Sequence, residues 1–93
     1  MIKHIVMWTL KDKTDAHKVK TMLEGLKGKV PSIIDIEVGI DVNGSEAAAD
    51  VVLYSTFASM DDLNAYQHHP EHQAVIPLMQ AMTTSRMVAD YEI

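Results

Sequence analysis

The chain contains no cysteine, which excludes a disulfide framework and a thiol nucleophile alike. It has no apolar run approaching the roughly 18 residues that a membrane-spanning helix requires. Met1-Ile2-Lys3-His4 leads straight into a strand-like pattern and lacks the basic-then-apolar design of a secretory signal. The resulting expectation is a cytoplasmic location with no membrane partner. An excess of positive charge is also missing. The formal net charge is -5, whereas nucleic-acid binding and attraction to anionic membranes both need a basic face. No Gly-rich phosphate loop, nucleophile elbow or flavin signature is present. There is no low-complexity segment, no linker and no repeat at solenoid period. Asn43-Gly44-Ser45 fits the glycosylation triplet, but without a secretory signal it reads as a turn.

What is present suits a small globular fold. Ninety-three residues fit one domain over 1–93 and leave no room for a second. A chain this short buries only part of its surface, so self-association would help it. Residues 2–11 alternate: Ile2, His4, Val6, Trp8 and Leu10 share one strand face, with Lys3, Ile5, Met7, Thr9 and Lys11 on the other. Thr14 or Asp15 can cap a helix running to about Val30, with Val19, Met22, Leu23, Leu26 and Val30 as its apolar stripe. Gly28 weakens the end of that helix and Pro31 stops it. The lysines in and around this helix are expected on its solvated side.

Strands are predicted over 33–42, 50–57 and 85–92. Ile34, Ile36, Val38, Ile40 and Val42 share a face of the first, Val51, Leu53, Ser55 and Phe57 of the second, and Met87, Ala89 and Tyr91 of the third. Ser59-Met60-Asp61-Asp62 opens a short helix, His69-Pro70 breaks it, and Pro70 starts another that runs to about Met82. The order βαββαβ implies an α+β, ferredoxin-like fold: a four-stranded antiparallel sheet with helices on one face. The other face is left open and partly apolar, which predicts a homodimer packed sheet against sheet. Met60, Met79, Met82 and Met87 are expected to act as soft core filling.

Five segments, in order, resemble one known family. They are the opening run Lys3 to Lys11; Pro31-Ser32-Ile33 with Glu37-Val38-Gly39; Asp50 to Leu53 with Thr56-Phe57-Ala58-Ser59; Tyr66-Gln67-His68-His69-Pro70-Glu71-His72; and Asp90-Tyr91. Together they span nearly the whole chain and resemble the stress-responsive A/B barrel (Dabb) family. The resemblance implies a dimeric α/β barrel formed by two sheets. Function transfers less well, because one fold hosts many activities. The family includes stress-linked plant proteins that form robust assemblies and a plant polyketide cyclase. That cyclase carries out an aldol closure without cofactor, using a histidine base and a tyrosine.

By this resemblance His4, Tyr66 and His72 are the candidate catalytic residues. Leu23 stands where the cyclase's first helix has a tyrosine, and Val51 or Asp50 where its third strand has a histidine, so the polar lining for that substrate is changed. The spacing independently gathers the three candidates. His4 shares a face with Val6 and Trp8, Tyr66 follows Leu63 by one helical turn, and His72 lies on the stripe of Val75, Ile76 and Met79. Two imidazoles and a phenol in an apolar cavity suit general acid–base chemistry near neutral pH. Val6, Trp8, Leu23, Ile76 and Met79 are the expected ligand-binding lining. No cofactor or metal is expected: His69 and His72 straddle a helix start, and the break at His69-Pro70 keeps His68 and His72, four residues apart, from sharing one helix. His69 reads as a cap, and His17 and His68 as exposed.

Three functions compete. The first is a pocket that binds a small, partly apolar molecule, with cofactor-independent cyclase, isomerase or lyase chemistry. The alternative is a non-catalytic stress or assembly protein acting as a stable homo-oligomer. A monooxygenase rests on fold analogy alone.

Overall fold

The alternation at the N-terminus produces strand β1 (Ile2–Leu10), with Ile2, His4, Val6, Trp8 and Leu10 all buried. A computed structural model describes residues 1–93. Beyond β1 the chain winds a 3-10 turn over Lys13–Asp15 before helix α1 (Ala16–Glu24). Asp15 holds the N-cap position of α1, as expected, but makes no side-chain capping bond; the side chain that caps is Asp12, at the start of the 3-10 turn. Its Oδ1 accepts the Thr14 N–H at 2.9 Å and the Thr14 hydroxyl at 2.7 Å.

Helix α1 stops at Glu24 and does not run on to Val30. Gly25 and Gly28 explain this. Glycine is a weak helix former, and Gly28 adopts φ 86°, which a right-handed helix cannot continue. Leu26 and Val30 are nonetheless buried, carried inward by turns. Lys20 also departs from its expected solvated role. Its ammonium meets Glu24 at 2.9 Å and the Val38 carbonyl at 2.5 Å, while Glu24 accepts the Val38 N–H at 3.0 Å. This clamp fastens α1 to strand β2 (Asp35–Ile40), which is shorter than the predicted 33–42.

A loop carrying Gly44 at φ 73° leads to strand β3 (Val51–Phe57). Ser59 caps helix α2 (Met60–His68) by accepting the Asp62 N–H at 3.2 Å. His69 caps helix α3 (Pro70–Met82), its Nδ1 accepting the Glu71 N–H at 3.1 Å. Pro77 lies inside α3, so the carbonyl one turn earlier lacks its ordinary helical donor. Strand β4 (Thr83–Glu92) follows α3 without a loop. No helix is long and apolar enough to cross a membrane.

The four strands pair antiparallel in the order β2-β3-β1-β4. With the helices on one face, this is the α+β, ferredoxin-like arrangement expected from the element order. Val6, Val19, Leu23, Val38, Leu53, Phe57, Leu63 and Tyr66 form the centre of the core between sheet and helices. Register fixes what faces the core. His4 pairs with Ser55 on one side and Asp90 on the other, and Trp8 with Val51 and Arg86.

The opposite sheet face carries Ile5 and Met7, Val52 and Tyr54, and Met87, Ala89 and Tyr91. Met87 is 67% exposed and Tyr91 46%. Met87 is thus a surface residue and not core filling, because its strand phase points it away from the helices. Met60 is also exposed, in the first turn of α2. Met79 and Met82 do pack on the core.

Candidate active site

His4 enters the core from the middle of β1 because its period-two partners, Val6 and Trp8, are apolar. It is only 2% exposed, and a buried imidazole needs partners. Its Nδ1–H donates to Asp90 Oδ1 on β4 at 2.5 Å. An acceptor at Nδ1 leaves the lone pair of the neutral ring on Nε2. Tyr66 comes from α2, where Leu63 and Tyr66 are the two buried residues. Its ring stacks at an angle on Phe57, with centroids 5.1 Å apart. The Tyr66 hydroxyl makes no hydrogen bond to protein and is not sealed off, so it faces the neighbouring cavity.

His72 lies in the first turns of α3 and is half-buried. Its Nδ1–H donates to the Gln67 carbonyl at 3.0 Å, which again leaves Nε2 free. The Tyr66 ring centroid is 4.3 Å from that of His72 and 6.1 Å from that of His4. The two imidazoles therefore flank one phenol at close range.

These three residues line one cavity of about 470 Å³, a size that takes a small organic molecule. All five expected lining residues, Val6, Trp8, Leu23, Ile76 and Met79, border the same space. Leu53 and Val75 complete its apolar wall, and Gln80 and Thr83 to Arg86 form a polar one at the junction of α3 and β4. No cluster of three or more His, Asp or Glu side chains is placed to hold a metal ion. His69 acts as a helix cap, and His17 and His68 are exposed.

Burial governs the protonation states. It pushes the Tyr66 phenol up to about 12, with the Arg86 charge opposing, so the phenol stays a proton donor at neutral pH. Burial also holds His72 below its ordinary value. The Gln67 carbonyl works against that shift, and the charges of His4 and Arg86 add to it. His72 is thus neutral at pH 7, with Nε2 available to accept a proton.

Two residues beside the candidates, Asp90 and Arg86, were not given a site role from the sequence, where Asp90 figured only in the Asp90-Tyr91 segment. The signal was the phase of β4. If Met87, Ala89 and Tyr91 share one face, Arg86, Val88 and Asp90 share the other. Only the pairing of β4 with β1 says that this second face is the one bearing His4.

An antiparallel ferredoxin-like sheet, covered on one side by helices that enclose a histidine–tyrosine cavity, defines a class of small α+β pocket domain. The chain belongs to the stress responsive A/B barrel domain family, which matches residues 2–93. It is 29% identical over 97 residues to the stress-response A/B barrel domain-containing protein DABB1 of Arabidopsis thaliana; the match covers 98% of this chain and 46% of that protein. The chain thus spans about half the length of this relative.

Among solved structures it resembles a dimeric ferredoxin-like protein of unknown function from Bacteroides fragilis, at 35% identity and TM-score 0.88, covering 99% of this chain and 95% of the other. It also resembles the hydroxynitrile lyase of Passiflora edulis at TM-score 0.85, covering 99% and 92%. The identity there is 18%, so this likeness shows the fold alone.

Proposed function

We propose that the domain binds a small, partly apolar carbonyl compound between sheet and helices and moves a proton at the carbon beside the carbonyl, without a cofactor. The observation that carries this reading is the Tyr66–His72 ring pair, 4.3 Å apart, on the wall of the cavity. His72 Nε2 takes the proton. The C–H pair becomes the enolate double bond, and the carbonyl π pair moves onto oxygen, where the Tyr66 O–H donates a hydrogen bond. Returning the proton at another carbon completes an isomerisation. Attack of the enolate carbon on a second carbonyl, with the proton passed to the new alkoxide, completes an aldol-type closure. His4, held by Asp90, supplies a second oriented imidazole beside the phenol. One protein of this fold is named a lyase, which is compatible with such chemistry on this scaffold.

The test is α-proton exchange in D2O with a panel of small ketones, followed by NMR. Exchange above buffer is expected with at least one compound, and His72→Ala should lower it by about 100-fold or more. Tyr66→Phe should lower it while leaving the fold intact. No exchange above buffer with any compound contradicts the reading.

We also propose that two copies pack through the open sheet face, since Ile5, Met7, Val52, Met87 and Tyr91 offer a contiguous apolar surface. This face favours a second reading, in which the stable homo-oligomer is itself the function. The names of the stress-response relatives agree with it. An assembly no more heat-resistant than an ordinary mesophilic domain would count against that reading.

A further inference from the structure

Arg86 is the chain's single arginine, and it is the one permanently charged side chain that borders the cavity. The seven lysines and all thirteen acidic residues lie outside the lining. In a chain of net charge -5, an exposed guanidinium would ordinarily find a carboxylate. Arg86 has none: the four ion pairs use His4, Lys13, Lys20 and Lys27. Asp90 is two core-facing positions further along β4, and its carboxylate is engaged with His4. Gln80, whose side chain makes no hydrogen bond to protein, borders the same wall as Arg86.

We infer that the ligand of this cavity carries a carboxylate, held by the Arg86 guanidinium at the junction of α3 and β4, while its carbonyl end lies against Tyr66 and His72. This rests on the proposed function and names its substrate class, an oxo acid. The chemistry fits. A guanidinium binds a carboxylate through two parallel N–H donors, fixing orientation as well as position. The apolar wall of Val6, Trp8, Leu23 and Met79 takes the carbon skeleton between the two polar ends. The charge of Arg86 is felt at both Tyr66 and His72, so an anion bound there is within electrostatic reach of the acid–base groups. Arg86 is on this account a specificity residue, not the proton-transfer group.

The test uses three oxo acids whose carbonyl is set apart from the carboxylate, 4-oxopentanoate, 6-oxoheptanoate and 4-oxo-4-phenylbutanoate, each against its uncharged methyl ester. Binding is read from the ring signals of His4 and His72. The protein is expected to bind at least one acid about tenfold or more tighter than its ester. In Arg86→Gln that ratio should fall close to one, with both imidazoles still displaced by the ester. Arg86→Lys, which keeps the charge but loses the fork, should retain part of the preference. Arg86 is exposed on an edge strand, so neither variant threatens the core. Equal binding of acid and ester, or a preference that survives in Arg86→Gln, overturns this inference alone. No displacement of either ring by any compound overturns it together with the pocket reading beneath it.

Discussion

Removing an imidazole from water disfavours its charged form, and that physical fact sets the behaviour of His72. Its ring should titrate by NMR below the ordinary histidine value of 6.5. Because the folded-state pKa is depressed, the contribution to stability is present above 6.5 and is lost as pH falls through the folded value. Activity that needs neutral His72 should decline over the same acid range. A ring that titrates at or above 6.5 contradicts the burial account.

Tyr66 runs the other way. Its phenol is raised from 10.0 to about 12, so the associated stability is held below pH 10 and lost as pH rises toward 12, by about 3 kcal/mol in all. Tyr66→Phe should abolish that alkaline loss. At neutral pH it should change stability by less than about 1 kcal/mol, because the hydroxyl has no protein partner to lose. Urea unfolding at pH 7 and pH 11 checks both statements.

Elements explain why these residues meet at all. His4 owes its place to the alternation of β1, Tyr66 to the stripe it shares with Leu63, and His72 to a helix that can start only because Pro70 follows the capping His69. Each of these is local patterning, so the element order and the gathering of the three side chains were legible in the sequence. The Asp90 and Arg86 positions were not, because they depend on a pairing between the two ends of the chain. The early end of α1 was legible only in part: Gly28 marked the end as weak, but the apolar stripe to Val30 hid that the helix stops at Glu24.

The Lys20–Glu24–Val38 clamp was hidden for a similar reason, since a charged pair four residues apart on a helix looks solvated until a strand edge is brought against it. Glu24 is held below the usual carboxylate range by Lys20 first and then by the Val38 N–H. Glu24→Ala should therefore accelerate hydrogen exchange at the Val38 amide by about fivefold or more, with little change in β1 and β3. Unchanged protection at Val38 would show that β2 does not need the clamp. Gly28→Ala should cost about 1 to 2 kcal/mol through backbone conformation alone, since at φ 86° the added methyl meets nothing within 4 Å.

At the scale of the whole molecule, helices cover one side of the sheet and leave an apolar surface on the other. A sheet-to-sheet dimer buries that surface and leaves the cavity, on the far side, untouched. Met87→Asp places a charge within such an interface and should weaken dimerisation by about 100-fold, read by sedimentation across a concentration series. A variant that remains dimeric at wild-type concentrations would move the contact elsewhere. The cavity is the claim on which the rest depends. Its most direct measurement is an NMR titration of the five histidine rings with small carbonyl-bearing fragments, using His4→Ala and His72→Ala for assignment. The His4 and His72 signals should move together while those of His17 and His68 stay fixed. If His4 and His72 remain unmoved by every fragment, the cavity does not bind such molecules and the acid–base account fails.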